Sequence, residues 1–237
     1  QHRRRDQPAN DNGGQWALVL LGVALGFAAL IAPVPLFTDE FGQFIPAILF
    51  FAIPLAMLAW VVPRHWTAIF RRLSARHVMW MVLFALLNIV VSIGVGAVVM
   101  KFHGAHANPV FGAMGAMDAT GIALFFLKTL PQLFGEELVT ILPMLALMTL
   151  FHHRLGMSRI PAIFIAWMLS AVLFGALHLP TYGWDFVQCF VIIGSARLVL
   201  SLAYLKTRNI WVSAGAHIIN DWTLFGSGLL GAAADAA

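Results

Sequence analysis

The feature that most constrains this chain is a series of long apolar runs with few interruptions. A bilayer core of about 30 Å needs about 20 apolar residues per helical span, and backbone polar groups in hydrocarbon must be hydrogen-bonded within the protein. The runs lack the alternation of barrel strands, so they are predicted to be helices. We predict an all-α transmembrane bundle with about seven spans, near residues 15–36, 43–62, 78–101, 119–150, 161–179, 185–205 and 210–230.

Composition supports this class. The chain has 237 residues, of which 61% are hydrophobic and 10% charged, whereas a soluble domain is about 45–50% apolar and about one quarter charged. Its single cysteine excludes a disulfide scaffold. We therefore expect an integral, multi-pass membrane protein, surrounded by lipid and without a nucleic-acid partner.

Two spans contain features that affect their shape. The fourth run is too long for one straight crossing and contains Pro131 and Pro143, which predicts a kink, a tilt or a break near Pro131. In the first run, Gly22 and Gly26 have the small-xxx-small spacing that suits close helix contact.

The basic residues predict an orientation. With the N-terminus inside, 11 of the 14 Lys and Arg residues fall in inner segments and only Lys101 falls outside. This bias predicts an inside N-terminus and an outside C-terminus. The first run is interpreted as a retained span, not a cleaved signal peptide. The predicted organisation is a polar tail (1–14), N-terminal helices with an outer loop (15–118) and a transmembrane core (119–237).

Ionisable side chains at bilayer depth are costly and usually functional. Glu136 and Glu137 are adjacent, about 100° apart on a helix, so at most one points straight into a given cavity. Two carboxylates in a low dielectric do not both ionise easily, which suits one of them to acid–base chemistry. Alternatively, one glutamate pairs with Lys128, Arg197 or a histidine and holds helices together.

Two histidines are the other candidates. His178 closes the fifth span, with Phe174 four residues earlier on the same face. His217 and Asp221 share a face of the last span, where the carboxylate can orient the imidazole. These groups could converge on a water, or Glu136, His178 and His217 could bind zinc. Straight helices, however, would place His178 about 25 Å and His217 about 10 Å from the inner ends of their spans.

At these residues the chain resembles the CAAX protease and bacteriocin-processing (Abi) family of intramembrane proteases. The family's motifs are Glu-Glu-xxx-Arg, Phe-xxx-His and His-xxx-Asn/Asp. The chain reads EELVTI over 136–141, FGALH over 174–178 and HIIND over 217–221, and the similarity covers roughly residues 130–222.

The resemblance implies peptide hydrolysis, in a protein that we expect in a bacterial inner membrane. We expect no cofactor, with zinc as the alternative. Glu136 would activate the attacking water with help from His178, and His217 with Asp221 would orient the water or stabilise the oxyanion. Glu137 completes the predicted catalytic set, with Phe174, Asn220 and Arg197 in support. Family substrates include prenylated CAAX C-termini, bacteriocin leader peptides and membrane-anchored signalling proteins.

One position departs from the family pattern. Ile141 stands where the motif has an arginine, and Arg197 or Lys128 is a candidate to supply the missing charge. The departure leaves catalytic activity open. The second hypothesis is a non-catalytic membrane subunit that binds a partner protein, lipid or pigment in a larger complex.

Overall fold

The computed structural model describes residues 12–235, which form an all-helical bundle, as predicted. Two further segments, Leu150–Arg154 and Gln188–Ile193, are π-helical. Residues 1–11, most of the predicted tail, lie outside the described residues. The α-helices are α1 (Asn12–Ile31), α2 (Phe44–Val61), α3 (Ala75–Phe102), α4 (Pro109–Gly115), α5 (Ala119–Thr149), α6 (Arg159–Leu177), α7 (Gly194–Thr207) and α8 (Ile210–Asp235).

Within residues 12–235, six helical segments are long and apolar enough to cross a membrane, which makes the chain an integral, multi-pass protein. The seventh predicted span, α8, is a helix of 26 residues, but its polar residues lower its hydropathy. Large apolar side chains of α3, such as Leu86, Val90 and Ile93, are exposed on the outside of the bundle, where lipid covers them. The six segments are Gly13–Ile31, Phe44–Val61, Ala75–Phe102, Ala119–Arg154, Arg159–Leu177 and Gln188–Thr207.

The central helix is α5, which contacts α1, α2, α6, α7 and α8. It runs without a break through Pro131 and Pro143, so the break considered near Pro131 is wrong. Its 31 residues span about 46 Å, which exceeds the hydrocarbon thickness and requires a tilt or a protruding end.

Helices α1 and α2 approach each other closely at two glycines. A methyl group at Gly26 would lie 2.8 Å from the carbonyl oxygen of Phe50, and one at Gly22 would lie 2.6 Å from Cβ of Met57. The helix contact that the small-xxx-small spacing predicts is therefore present.

A tether joins the α3–α4 connection to the α6–α7 connection. Gln188 accepts from the backbone N–H of His106 at 2.7 Å and donates to the backbone oxygen of the same residue at 2.9 Å. His103 contacts Asp185 at 3.1 Å. The backbone N–H of Gln188 and the imidazole of His103 hold the pKa of Asp185 below its usual range. Asp185, at the start of the predicted sixth span, therefore lies in a connection.

Candidate active site

A cavity of about 360 Å³ lies among α3, α5, α6, α7 and α8. All of the predicted site residues except Glu137 line it, so residues far apart in sequence meet in one place. Those lining residues are Glu136, Phe174, His178, Arg197, His217, Asn220 and Asp221.

Glu137 and Arg197 form an ion pair behind the cavity wall. Nη2 of Arg197 donates to Oε2 of Glu137 at 2.9 Å, and Nη1 lies 2.8 Å from Oε1. Both side chains are fully buried. Two-point contact of this kind compensates a charge that would be very costly alone in the interior. Arg197 of α7 therefore supplies the charge that the family motif places at position 141.

His217 is oriented by the same ion pair. A carboxylate oxygen can only accept, so Nδ1 of His217 donates to Oε1 of Glu137, at 3.0 Å. This bond directs Nε2 towards the cavity side, where Oδ2 of Asp221 lies 3.7 Å away. The sequence suggested Asp221 as the orienting carboxylate; in the structure the shorter contact is with Glu137. Arg197, Glu137 and His217 thus form a buried chain.

Glu136 faces a different environment from its neighbour. Its carboxylate keeps some exposure to the cavity, with Oε2 3.8 Å from Nε2 of His217. The amide of Gln132 lies 3.5 Å from Oε1. Glu136 has no cationic partner among residues 12–235 other than a protonated His217. One glutamate is therefore neutralised by an arginine, and the other faces open space.

His178 completes the wall through Phe174. Its Nδ1 donates to the backbone oxygen of Phe174 at 2.8 Å, which leaves Nε2 of the neutral ring as an acceptor. The Phe174 ring centroid lies 4.6 Å from the His178 ring and 6.5 Å from the His217 ring. The guanidinium of Arg197 lies over the same ring at 5.0 Å. Phe174 thus bridges the two histidines, and both line one cavity although straight helices would place them at different depths.

Residues 118–223 match the family described as Rce1-like, type II CAAX prenyl endopeptidase. This segment is similar to that family. The match confirms the resemblance to the CAAX protease family. No curated protein and no solved structure matches the chain.

The Rce1-like segment runs from the N-cap of α5 into α8, so it carries every predicted site residue. Asn88 of α3 also lines the cavity and lies outside the segment. No sequence motif marked Asn88, because a lone Asn in an apolar run carries no spacing signal.

Lys128 and Tyr182 also line the cavity. Lys128 was considered only as a partner for the glutamates, but it lies over the Phe125 ring at 5.4 Å. Lys128, Gln132 and Glu136 follow one another at four-residue spacing, which was a usable signal for one helix face. Burial and the Asp221 charge raise the pKa of Tyr182 to about 12, so its hydroxyl keeps its proton at neutral pH.

The zinc alternative has three candidate ligands, Glu136, His178 and His217. Among residues 12–235, no three His, Cys, Asp or Glu side chains lie in a metal-holding arrangement. Nδ1 of each proposed histidine ligand bonds within the protein, in His178 to a backbone oxygen and in His217 to Glu137, which leaves Nε2 of both rings open. Zinc bound by Glu136, His178 and His217 therefore stays a prediction, which a chelator can test.

Proposed function

We propose that this protein is an intramembrane endopeptidase that hydrolyses a peptide bond with a water activated by Glu136. The proposal depends on one observation: of two adjacent carboxylates, one is paired with Arg197 and the other faces a polar cavity. A general base needs a free carboxylate near the reacting water, and Glu136 meets that requirement.

The chemistry follows from the positions of the groups. Glu136 takes a proton from water while the water oxygen bonds to the peptide carbonyl carbon. The resulting tetrahedral species collapses, the C–N bond breaks, and the same proton passes to the leaving amine. Nε2 of His178, an acceptor in its hydrogen-bonded tautomer, helps to hold the water.

His217 and Asp221 are assigned a different role, which is to orient the water or to stabilise the oxyanion. With Nδ1 committed to Glu137, His217 presents Nε2 to the cavity, where it orients the water or, when protonated, donates to the oxyanion. Glu137 and Arg197 are positioning residues, because they act through His217. A site held by a buried ion pair needs little rearrangement during the reaction.

We propose a membrane-associated peptide as the substrate, of the prenylated CAAX type that the family name describes. Such a peptide carries a lipidated cysteine near its C-terminus, so it is already concentrated in the bilayer. Ile141 favoured a non-catalytic subunit, but Arg197 compensates Glu137 from another helix, and this supports the catalytic alternative.

One prediction concerns the base. In lipid nanodiscs, wild-type protein cleaves an internally quenched peptide that ends in a prenylated cysteine followed by three residues. Glu136→Gln lowers kcat by at least about 100-fold, because removal of a general base costs about 10²–10⁴ in rate. His178→Ala lowers kcat in the same direction. Fluorescence release measures both.

The matched control is Glu40→Gln, the same substitution at an exposed connection residue, which should leave the rate unchanged. Full activity of Glu136→Gln, or no cleavage by wild type, would contradict the proposal. The absence of cleavage by wild type would favour the partner-binding subunit.

Adding a metal chelator distinguishes activation of the water by Glu136 without a metal from activation by bound zinc. An unchanged rate supports the metal-free scheme, and loss of activity supports zinc.

A further inference from the structure

Asn88 is a fully buried carboxamide that neither the motifs nor the proposed chemistry use. It lies in α3, is 0% exposed and lines the catalytic cavity. Within residues 12–235, neither its Oδ1 nor its Nδ2 has a hydrogen-bond partner. A buried polar group without a partner is unfavourable, and more so in hydrocarbon than in a soluble protein.

Two other buried carboxamides in this chain show what such a group binds. Oδ1 of Asn209 accepts from the backbone N–H of Arg71 and its Nδ2 donates to the oxygen of the same residue, both at 3.2 Å. Gln188 pairs with His106 in the same two-bond arrangement. Each clamps the N–H and C=O of one residue of irregular backbone.

The position of Asn88 suits the same contact with a substrate. Helices α3 and α8 run in the same direction and contact each other, with Ala85 and Ala216 in one buried cluster. Asn88 and Asn220 each lie one turn further along, and both line the cavity. Oδ1 of Asn220 also lacks a partner among the described residues.

An extended peptide presents the N–H and C=O of one residue on the same side. Inside a bilayer, such a peptide has no water to satisfy these groups. We propose that Asn88 clamps one residue of the extended substrate, with Oδ1 accepting from its N–H and Nδ2 donating to its C=O. Asn88 is then a positioning residue for the substrate main chain. This inference rests on the proposed function, since it assumes a peptide in the cavity.

The first test compares stability between two matched variants. Asn209→Leu removes a satisfied carboxamide and leaves the backbone of Arg71 unpaired, so its Tm in detergent should fall. Asn88→Leu removes an unsatisfied carboxamide, so its Tm should stay the same or rise. A fall in Tm for Asn88→Leu as large as that for Asn209→Leu would show a structural role and overturn the proposal.

The second test measures binding of the prenylated reporter peptide. Two lost hydrogen bonds correspond to about tenfold weaker binding. Asn88→Leu should therefore raise KM about tenfold while kcat changes less than about threefold. Affinity is also measured in a Glu136→Gln background, so that a failure of the proposed chemistry does not affect this result.

The third test locates the clamped residue. Each peptide bond flanking the scissile bond is replaced in turn by an ester, which removes one N–H. One ester should bind the Glu136→Gln protein more weakly than the parent peptide, and should bind the Glu136→Gln/Asn88→Leu protein as well as the parent peptide does. Equal losses in both proteins for every ester, or no binding of the parent peptide to Glu136→Gln, would overturn the proposal.

Discussion

Glu136 and Glu137 are one residue apart and have different environments, because the helix turns about 100° between them. Glu137 points into the bundle, where Arg197 and His217 hold both of its oxygens. Glu136 points into the cavity and keeps part of its surface exposed. The orientation of the two side chains therefore gives them different roles: Glu137 positions His217, and Glu136 is the proposed reactive group.

A prediction follows for the buried pair. Arg197→Met leaves Glu137 as an uncompensated buried charge and should lower the free energy of unfolding by about 3–5 kcal/mol. Adding Glu137→Gln removes that charge and should recover at least half of the loss. Unfolding of both variants in detergent measures the effect. If the double variant is less stable than Arg197→Met alone, the ion pair is not the source of the loss.

Part of the site could be predicted from the sequence. The motif residues were identified because a charged or imidazole side chain in an apolar run is conspicuous, and Arg197 was a candidate partner for the same reason. The sequence could not show that Arg197, and not Lys128, is the partner of Glu137. That distinction depends on the packing of α7 against α5, which only the structure shows. Asn88 and Tyr182 could not be identified, because neither carries a charge or a motif spacing, and only the fold places them in the cavity.

At the scale of elements, the all-helical class and most helix positions follow from the apolar runs. The break considered at Pro131 did not follow, because a proline inside a membrane helix loses one hydrogen bond and neighbouring helices support the segment. Helix α5 is surrounded by five others. The contact between α1 and α2, in contrast, follows directly from the glycine spacing.

That contact gives a second prediction. Gly26→Ala places a methyl group 2.8 Å from the Phe50 carbonyl oxygen, so the helices must separate, and the free energy of unfolding should fall by about 1–3 kcal/mol. Gly94→Ala is the control, because no atom lies within 4 Å of a methyl group there. Its stability should change by less than about 0.5 kcal/mol or increase. Equal effects for the two variants would show that α1 and α2 separate without cost.

At the scale of the whole molecule, the distribution of basic residues predicts the orientation in the membrane. The two ends of α3 carry exposed basic residues, Arg76 on the predicted inner side and Lys101 on the predicted outer side. Both lie on one helix, so a single experiment can compare them.

The third prediction tests this orientation. In a Cys189→Ala background, which removes the only cysteine, Lys101→Cys should react with a membrane-impermeant maleimide added to intact cells. Arg76→Cys should react only after permeabilisation. The reverse pattern would show that the N-terminus lies outside and that the charge bias does not set the topology of this chain.

The position of Arg197 along the chain, far from its partner Glu137, also has a consequence for insertion into the membrane. An arginine at position 141 would neutralise Glu137 within one helical turn of α5, but Arg197 lies 60 residues later in the chain. At about 5–20 residues per second, the ribosome needs roughly 3–12 s to make that stretch. During this interval α5 carries a carboxylate without its partner. We therefore expect α5 to reach its final position in the bilayer only after the hairpin of α6 and α7 has inserted.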